Sequence, residues 1–422
     1  MPRQPRRHTV RLSPDDQLSY PIIPCAVPLG TARIEVAYTV HAHGPGACVV
    51  DIGLRDPSGF RGWSGSARAS FFVTAHHATP GYLLGPLAPG RWEVVLGAYK
   101  IPAEGCTVDV TIAVEETKAE WLVGDLHAHS VHSDGHLTLD QLCGLAMESG
   151  LEFLALTDHN TVSQDMQAPR NLPLLLIPGM ELTTYAGHAN LYGRIDRPPD
   201  FRASGDEGMG RLIGAARAQG LVVSLNHPYD PSCGWRHSFA LPYDAIEIWN
   251  GPWRPHNAAA LRYWHDQLVR GRRLIALGGT DFHRLPTGGA RPPVANRVFA
   301  AERSVAALLA GIRQGHVVVT NSVLAPTVHF ALDGHMIGDT APVAAAVDLP
   351  MRLRVDAAEP CRARLISDRG VESEHQIEHP DQPLDRRVPT DRQFYRVEVW
   401  SGEGPRAQPL AVTNPIFLAP SL

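Results

Sequence analysis

No run of about 18 apolar residues occurs in the 422-residue chain, so no membrane-spanning helix is expected. The six cysteines, at 25, 48, 106, 143, 233 and 361, show no paired spacing. That argues against a disulfide framework and for reduced, mostly buried thiols of a cytoplasmic protein. Lysine is almost missing: Lys100 and Lys118 are the only two, a trait of genome composition. The basic start (Arg3, Arg6, Arg7) is not followed by the apolar stretch of a secretory signal. A net charge of -5 gives no reason to expect a nucleic-acid partner. What remains is ordinary for a soluble protein, 44% hydrophobic and 19% charged, with length for two or three domains. The 21 histidines stand out, and their clustering matters more than their number.

Residues 1–20 are polar and expected to be loose. From 21 to 117, short β-like runs alternate with turns: 32–40, 48–54, 69–74, 91–99 and 107–114. Gly-Pro and Pro-Gly pairs punctuate them, as in a small β-sandwich. After a charged joint at 115–120 the period changes. Strand-like runs at 121–126, 151–156, 174–177, 189–192, 221–225, 245–248 and 274–277 alternate with helix-like ones, the first opening at Thr138. Alternation of that kind predicts a parallel α/β barrel over 118–321. From 322 the pattern returns to short strands, predicting a second β-sandwich, with 372–379 as a solvated loop.

The chemistry sits where the barrel strands end. Residues i and i+2 of a strand face one side, so His127 and His129 can address one ion, as can Asp281 and His283. Imidazole and carboxylate together suit zinc, manganese or iron. A lone His-X-His is weak evidence. Here Asp134, His159, Glu181, His188, His227, Asp281 and His283 each follow a strand-like run or lie in the loop beyond it. Polar groups of this kind are costly in a core and do not gather at strand ends by chance.

These residues stand in ordered motifs: His127-Ala-His129-Ser130, Ser133-Asp134-Gly135, Thr157-Asp158-His159-Asn160, Pro178-Gly179-Met180-Glu181, Gly187-His188, Asn226-His227-Pro228 and Gly279-Thr280-Asp281-Phe282-His283. The series resembles the PHP (polymerase and histidinol phosphatase) superfamily, nearest to its CehA/McbA branch, over about 121–321. The resemblance implies a distorted (β/α)7 barrel flanked by the two sandwiches, with two to three divalent ions (Zn, Mn or Fe). It implies His127, His129, Glu181 and Asp281 on the first ion and Glu181, His188 and His227 on the second. Asp134, His159 and His283 would take the third. Asp158 is expected to brace a neighbouring loop.

The chemistry so implied is hydrolysis of a small phosphate ester by hydroxide held between two ions. Carboxylic- or carbamate-ester hydrolysis is the alternative, and a non-catalytic binding scaffold a further one. Glu181 and Asp281 would carry catalysis, with Asn250, at a strand end, the best further pocket residue ahead of Tyr229, His237 and His256. Arg236, Arg254 and Arg297 are the candidates to grip a phosphate. No membrane or nucleic-acid partner is expected.

Overall fold

The computed structural model describes residues 4–285, 294–343, 348–379, 383–402, 404 and 407–420. The chain is mixed α/β and rich in strands, and it divides into two compact units. Among the described residues no helix is long and apolar enough to cross a membrane.

The first unit is built on residues 1–119. One four-stranded sheet runs Arg6–Leu12, Cys106–Glu116, Thr31–Ala42, Ser70–Thr74. The other runs Ile22–Val27, Gly90–Lys100, Val49–Asp56, Gly59–Gly65. All neighbours are antiparallel. Alternate residues of both sheets, among them Ile34, Val36, Ile52, Leu54, Trp92 and Val94, share one core. Strand periodicity therefore becomes a sandwich with an apolar interior and two outer faces. Residues 6–12, expected to be loose, form an edge strand instead. Only Leu12 of it is buried, so its own pattern carries little signal. The paired backbone of residues 106–112 defines it.

In the second unit, Glu120–Asp125 pairs in parallel with Phe153–Ala155, which pairs in parallel with Leu175–Ile177. On its other side it meets Ala295–Ala300, which meets Val317–Thr320, both antiparallel. A five-stranded sheet follows: Gly179–Thr184, Gly187–Tyr192, Val222–Leu225, Ala245–Asn250, Ile275–Gly279. Its first two junctions are antiparallel and its last two parallel. The expectation of uniformly parallel βα units is thus corrected. Only Tyr185 and Ala186 separate the first two strands, and so short a link makes a hairpin, not a crossover. Isolated bridges pair Ala128 with Phe282 and His159 with Glu181.

Helices Leu139–Glu148, Gly205–Ala218, Pro255–Val269 and Val305–Gln314 alternate with these strands. The first begins at Thr138, whose hydroxyl accepts from the Gln141 N–H while the Gln141 side chain accepts from the Thr138 N–H. Leu139, Leu142, Cys143 and Ala146 give it a buried stripe.

Beyond 321 the sheet does not break. Val317–Thr320 pairs with Pro409–Thr413, and the sheet continues through Phe394–Ser401, Cys361–Ser367 and Gly370–Ile377. A four-stranded sheet around Thr327–Leu332 and Leu349–Asp356 shares its core with it. The expected loop at 372–379 is mostly strand: Glu374 is paired by Arg362 at 2.8 Å.

Candidate metal centre

The candidate ligands lie on the strands of this unit or in the loops that follow them, Asp134 in the loop beyond Glu120–Asp125. His127 and His129 follow Glu120–Asp125, His159 follows Phe153–Ala155, and Glu181 lies in Gly179–Thr184. His188 begins the next strand, His227 follows Val222–Leu225, and Asp281 and His283 follow Ile275–Gly279. Asn160, His227 and Asp281 hold positive φ of 51°, 29° and 52° without being glycine. Local strain of this kind persists only where surrounding structure over-determines it, and functional sites are where it collects.

The structure brings all nine sequence candidates into one cluster. Four groups of ligand atoms each lie within 4.8 Å: His129, Asp134, His159 and His283; His127, His129 and Asp281; His127, Glu181 and His227; His159, Glu181 and His188. The groups overlap, and His188 Nδ1 and His227 Nε2 both approach Glu181 Oε1, at 3.2 and 3.4 Å. His188 joins His159 across the Glu181 carboxylate, while His227 joins His127.

The separations are those of shared ligation. His127 Nε2 lies 3.4 Å from Glu181 Oε1 and 3.3 Å from Asp281 Oδ1. His129 Nε2 lies 3.5 Å from Glu181 Oε2 and 3.2 Å from Asp281 Oδ1. His283 Nε2 and His159 Nε2 sit 3.2 and 3.5 Å from Asp134 Oδ1. Ligand atoms about 2.1 Å from a tetrahedral ion lie roughly 3.4 Å from one another. His127 Nε2, both ring nitrogens of His129, Glu181 Oε2 and His188 Nδ1 are buried without a hydrogen bond among the described residues. Buried polar atoms so placed cost free energy unless something else satisfies them. The donor set therefore fits divalent ions.

Electrostatics point the same way. Burial alone would raise the Glu181 pKa, but His127, His159 and His188 hold it well below the usual carboxylate range. Asp281 is lowered likewise against burial, chiefly by His127 and His129. A carboxylate ligates metal as the anion, the form these neighbours favour.

A second layer orients the ligands, and sequence reading missed its centre. Glu247, 1% exposed, accepts from His127 Nδ1 at 2.7 Å, from the His227 N–H at 2.9 Å and from Asn250 Nδ2 at 3.1 Å. Bonding at Nδ1 leaves the lone pair of His127 on Nε2, toward Glu181 and Asp281. Gly279 permits this approach, since a Cβ there would lie 2.4 Å from that of His127. The available signal was a carboxylate inside the apolar run Ala245-Ile246-Glu247-Ile248-Trp249, which nothing local could satisfy. Asn226 Nδ2 donates to Glu181 Oε1 at 2.7 Å. Asp125 accepts from the N–H groups of His127 and Thr280. Asp158 braces the 130–133 loop, accepting from the Ser130 N–H and hydroxyl and from the Ser133 hydroxyl.

The other candidates fare differently. Asn250 stands behind the cluster, on Glu247. Arg297 is turned away from it. Asn296 of the same strand bonds Gly278, so its neighbour faces the opposite side and donates to the carbonyls of Val323 and Ala325. Strand alternation thus removes Arg297 as a phosphate grip. Arg236 is exposed and donates to the Ser232 carbonyl; Arg254 is exposed at the start of Pro255–Val269. His237 is buried against Asp206 at 3.3 Å, and Tyr229 stacks on Phe239.

No family model matches the chain. Two curated relatives, both 5′-3′ exoribonuclease Rnm, are similar over 68 residues: 38% identical in Salmonella typhimurium and 40% in Escherichia coli. The match takes in 15% of this chain and spans only 23% of those proteins. Among solved structures, a Bacteroides vulgatus two-domain protein containing a predicted PHP-like metal-dependent phosphoesterase is 17% identical. It covers 71% of this chain and 96% of its own, with a TM-score of 0.42. An amidohydrolase from Chromobacterium violaceum is 16% identical over 40% of this chain and 89% of its own, TM-score 0.29.

Proposed function

We propose that the chain is a metal-dependent phosphoesterase of the PHP type, acting on a small organic phosphate ester. The observation that carries this reading is the convergence of nine side chains of metal-ligating type from successive strands and the loops after them, several with buried, unsatisfied atoms. The ordered motifs support the finer assignment to a distorted (β/α)7 barrel of the CehA/McbA branch. Divalent ions, when bound, would supply Lewis acidity and lower the pKa of coordinated water. His127, His129, Glu181 and Asp281 would hold the first; Glu181, common to two of the groups, would be shared with a second.

The chain's own residues prepare the rest. Glu247 and Asn226 preset the His127 tautomer and the Glu181 carboxylate, so little reorganisation is left for the reaction. Asp134 is 62% exposed, which puts the third group at the solvent side, where a phosphoryl oxygen would arrive. Arg236 and Arg254 remain as groups for a substrate anion.

The partial likeness to exoribonucleases favours one second reading, a phosphodiester in RNA. Phosphate release from p-nitrophenyl phosphate with manganese or zinc is the primary test. A 5′-phosphorylated oligoribonucleotide and naphthyl acetate run alongside on the same preparation. Turnover of naphthyl acetate alone would overturn the phosphoesterase reading.

A further inference from the structure

The outer face of the second N-terminal sheet is not an ordinary solvated face. On Gly90–Lys100, residues Trp92, Val94, Leu96 and Ala98 enter the core, so Glu93, Val95, Gly97 and Tyr99 point outward. On Val49–Asp56, Val50, Ile52 and Leu54 enter the core, leaving Asp51, Gly53 and Arg55 outward. Register aligns Val95 with Gly53 and Gly53 with Trp63, and puts Asp51 beside Gly97.

The glycines on this face make room for a ring. A Cβ at Gly53 would lie 2.4 Å from Trp63 Cε3, and one at Gly97 would lie 2.8 Å from Trp63 Cζ2. The indole of the edge strand Gly59–Gly65 therefore lies back across two neighbouring strands, over Gly53 and Gly97. Tyr20 and Phe60 flank it, with ring centroids at 6.2 and 6.3 Å and planes inclined by 64° and 51°. Tyr20, Phe60 and Tyr99 are 69%, 56% and 53% exposed, an unusual concentration of open aromatic surface. These groups line a trough of 840 Å³, the size of a ligand site.

The trough is not merely apolar. Asp51 and Glu93 offer acceptors and Arg55 donors along its floor, Arg55 Nη1 lying 3.4 Å from Glu93 Oε2. No hydrogen bond to the Asp51 carboxylate is found among the described residues. An aromatic plate with donors and acceptors around its edge is complementary to a pyranose, which has an apolar C–H face and an equatorial rim of hydroxyls. A second copy of this chain or a proline-rich segment would have less use for the carboxylates. A quaternary ammonium would fill only a small part of the volume.

We propose that the outer face of the Ile22–Val27, Gly90–Lys100, Val49–Asp56, Gly59–Gly65 sheet binds a neutral oligosaccharide. A sugar ring stacks on Trp63 between Tyr20 and Phe60, and its hydroxyls bond Asp51, Arg55 and Glu93. The site shares no residue with the candidate metal centre, and the proposal does not rest on the function proposed for that centre.

The whole protein is titrated calorimetrically with cellotetraose, xylotetraose, maltotetraose and chitotetraose. Choline chloride and deca-proline are titrated in parallel, and oligomeric state is followed by light scattering. At least one tetrasaccharide is expected to bind with a dissociation constant of roughly 1 mM or tighter. Trp63→Ala is expected to weaken it about tenfold or more, with p-nitrophenyl phosphate turnover unchanged. Tyr20→Ala and Asp51→Asn, which remove surface groups, should each weaken it about threefold and keep the test alive should Trp63→Ala misfold. The proposal is overturned by any of three results: no tetrasaccharide binds; the variants bind as tightly as wild type; or only choline, deca-proline or a second copy occupies the face in a Trp63-dependent way.

Discussion

Glu247→Gln is the change that best separates a metal centre from a merely buried polar cluster. One carboxylate oxygen receives His127 Nδ1 at 2.7 Å; the other receives the His227 N–H at 2.9 Å and Asn250 Nδ2 at 3.1 Å. An amide keeps only one acceptor oxygen. Placed toward His227 and Asn250, that oxygen satisfies two donors, and the new NH2 then faces His127 Nδ1. His127 accommodates it only by moving its proton to Nε2, the atom 3.4 Å from Glu181 and 3.3 Å from Asp281. The ring would then present N–H where a lone pair is needed. Changes of this kind behind a ligand typically weaken metal binding by about 10–100-fold, or about 1.4–2.7 kcal/mol. The assay is competition for zinc and manganese against a chromophoric chelator, on wild type and variant. Thermal unfolding in excess chelator provides the control, because without metal the two proteins should unfold within a few degrees of each other. Wild-type affinity in Glu247→Gln would refute the reasoning. Glu247→Ala should be worse in both assays, since it leaves three donors stranded at about 1–3 kcal/mol each as an upper bound.

Other outcomes follow from the same geometry. His127→Ala and Asp281→Ala should each abolish turnover while circular dichroism stays native; measurable wild-type activity in either contradicts the ligand assignment. Asp134→Ala should lower bound metal by one equivalent by elemental analysis and spare the rest, because Asp134 lies in a single ligand group. Asp165 gives a pH test. Burial, with the Asp158 charge adding and the Gly179 N–H opposing, raises it from an ordinary 3.8 to about 7. Below pH ~4 the residue is protonated folded or unfolded and has no effect. Between there and pH 7 the unfolded chain ionises while the folded one keeps its proton, so stability falls as pH rises. Asp165→Asn should therefore stabilise the protein increasingly from pH 4 to 8, by at most about 4 kcal/mol. Urea unfolding that shows a pH-independent difference would rule this out.

Much of the molecule was legible in its residues. The change from a two-residue to a helical rhythm near 120 marked where the sandwich gives way to the α/β region. The nine candidate ligands could be named because each follows a strand-like run or lies in the loop beyond it, in ordered motifs, and a polar residue there has few structural uses. Long-range pairing was not legible. Nothing local in Arg6–Leu12 marks a strand; its partner is about a hundred residues away. Arg297 looked free to reach a phosphate until the register of its strand put it on the outside. Glu247 read as an odd acid in an apolar run, since its partners, His127 and His227, are remote in sequence. Ligand types and their order are local chemistry, and the sequence by itself determined them. Which histidine shares which carboxylate, and which buried group holds each ring in place, depends on where strands far apart in the chain come together. Only the tertiary structure decided those.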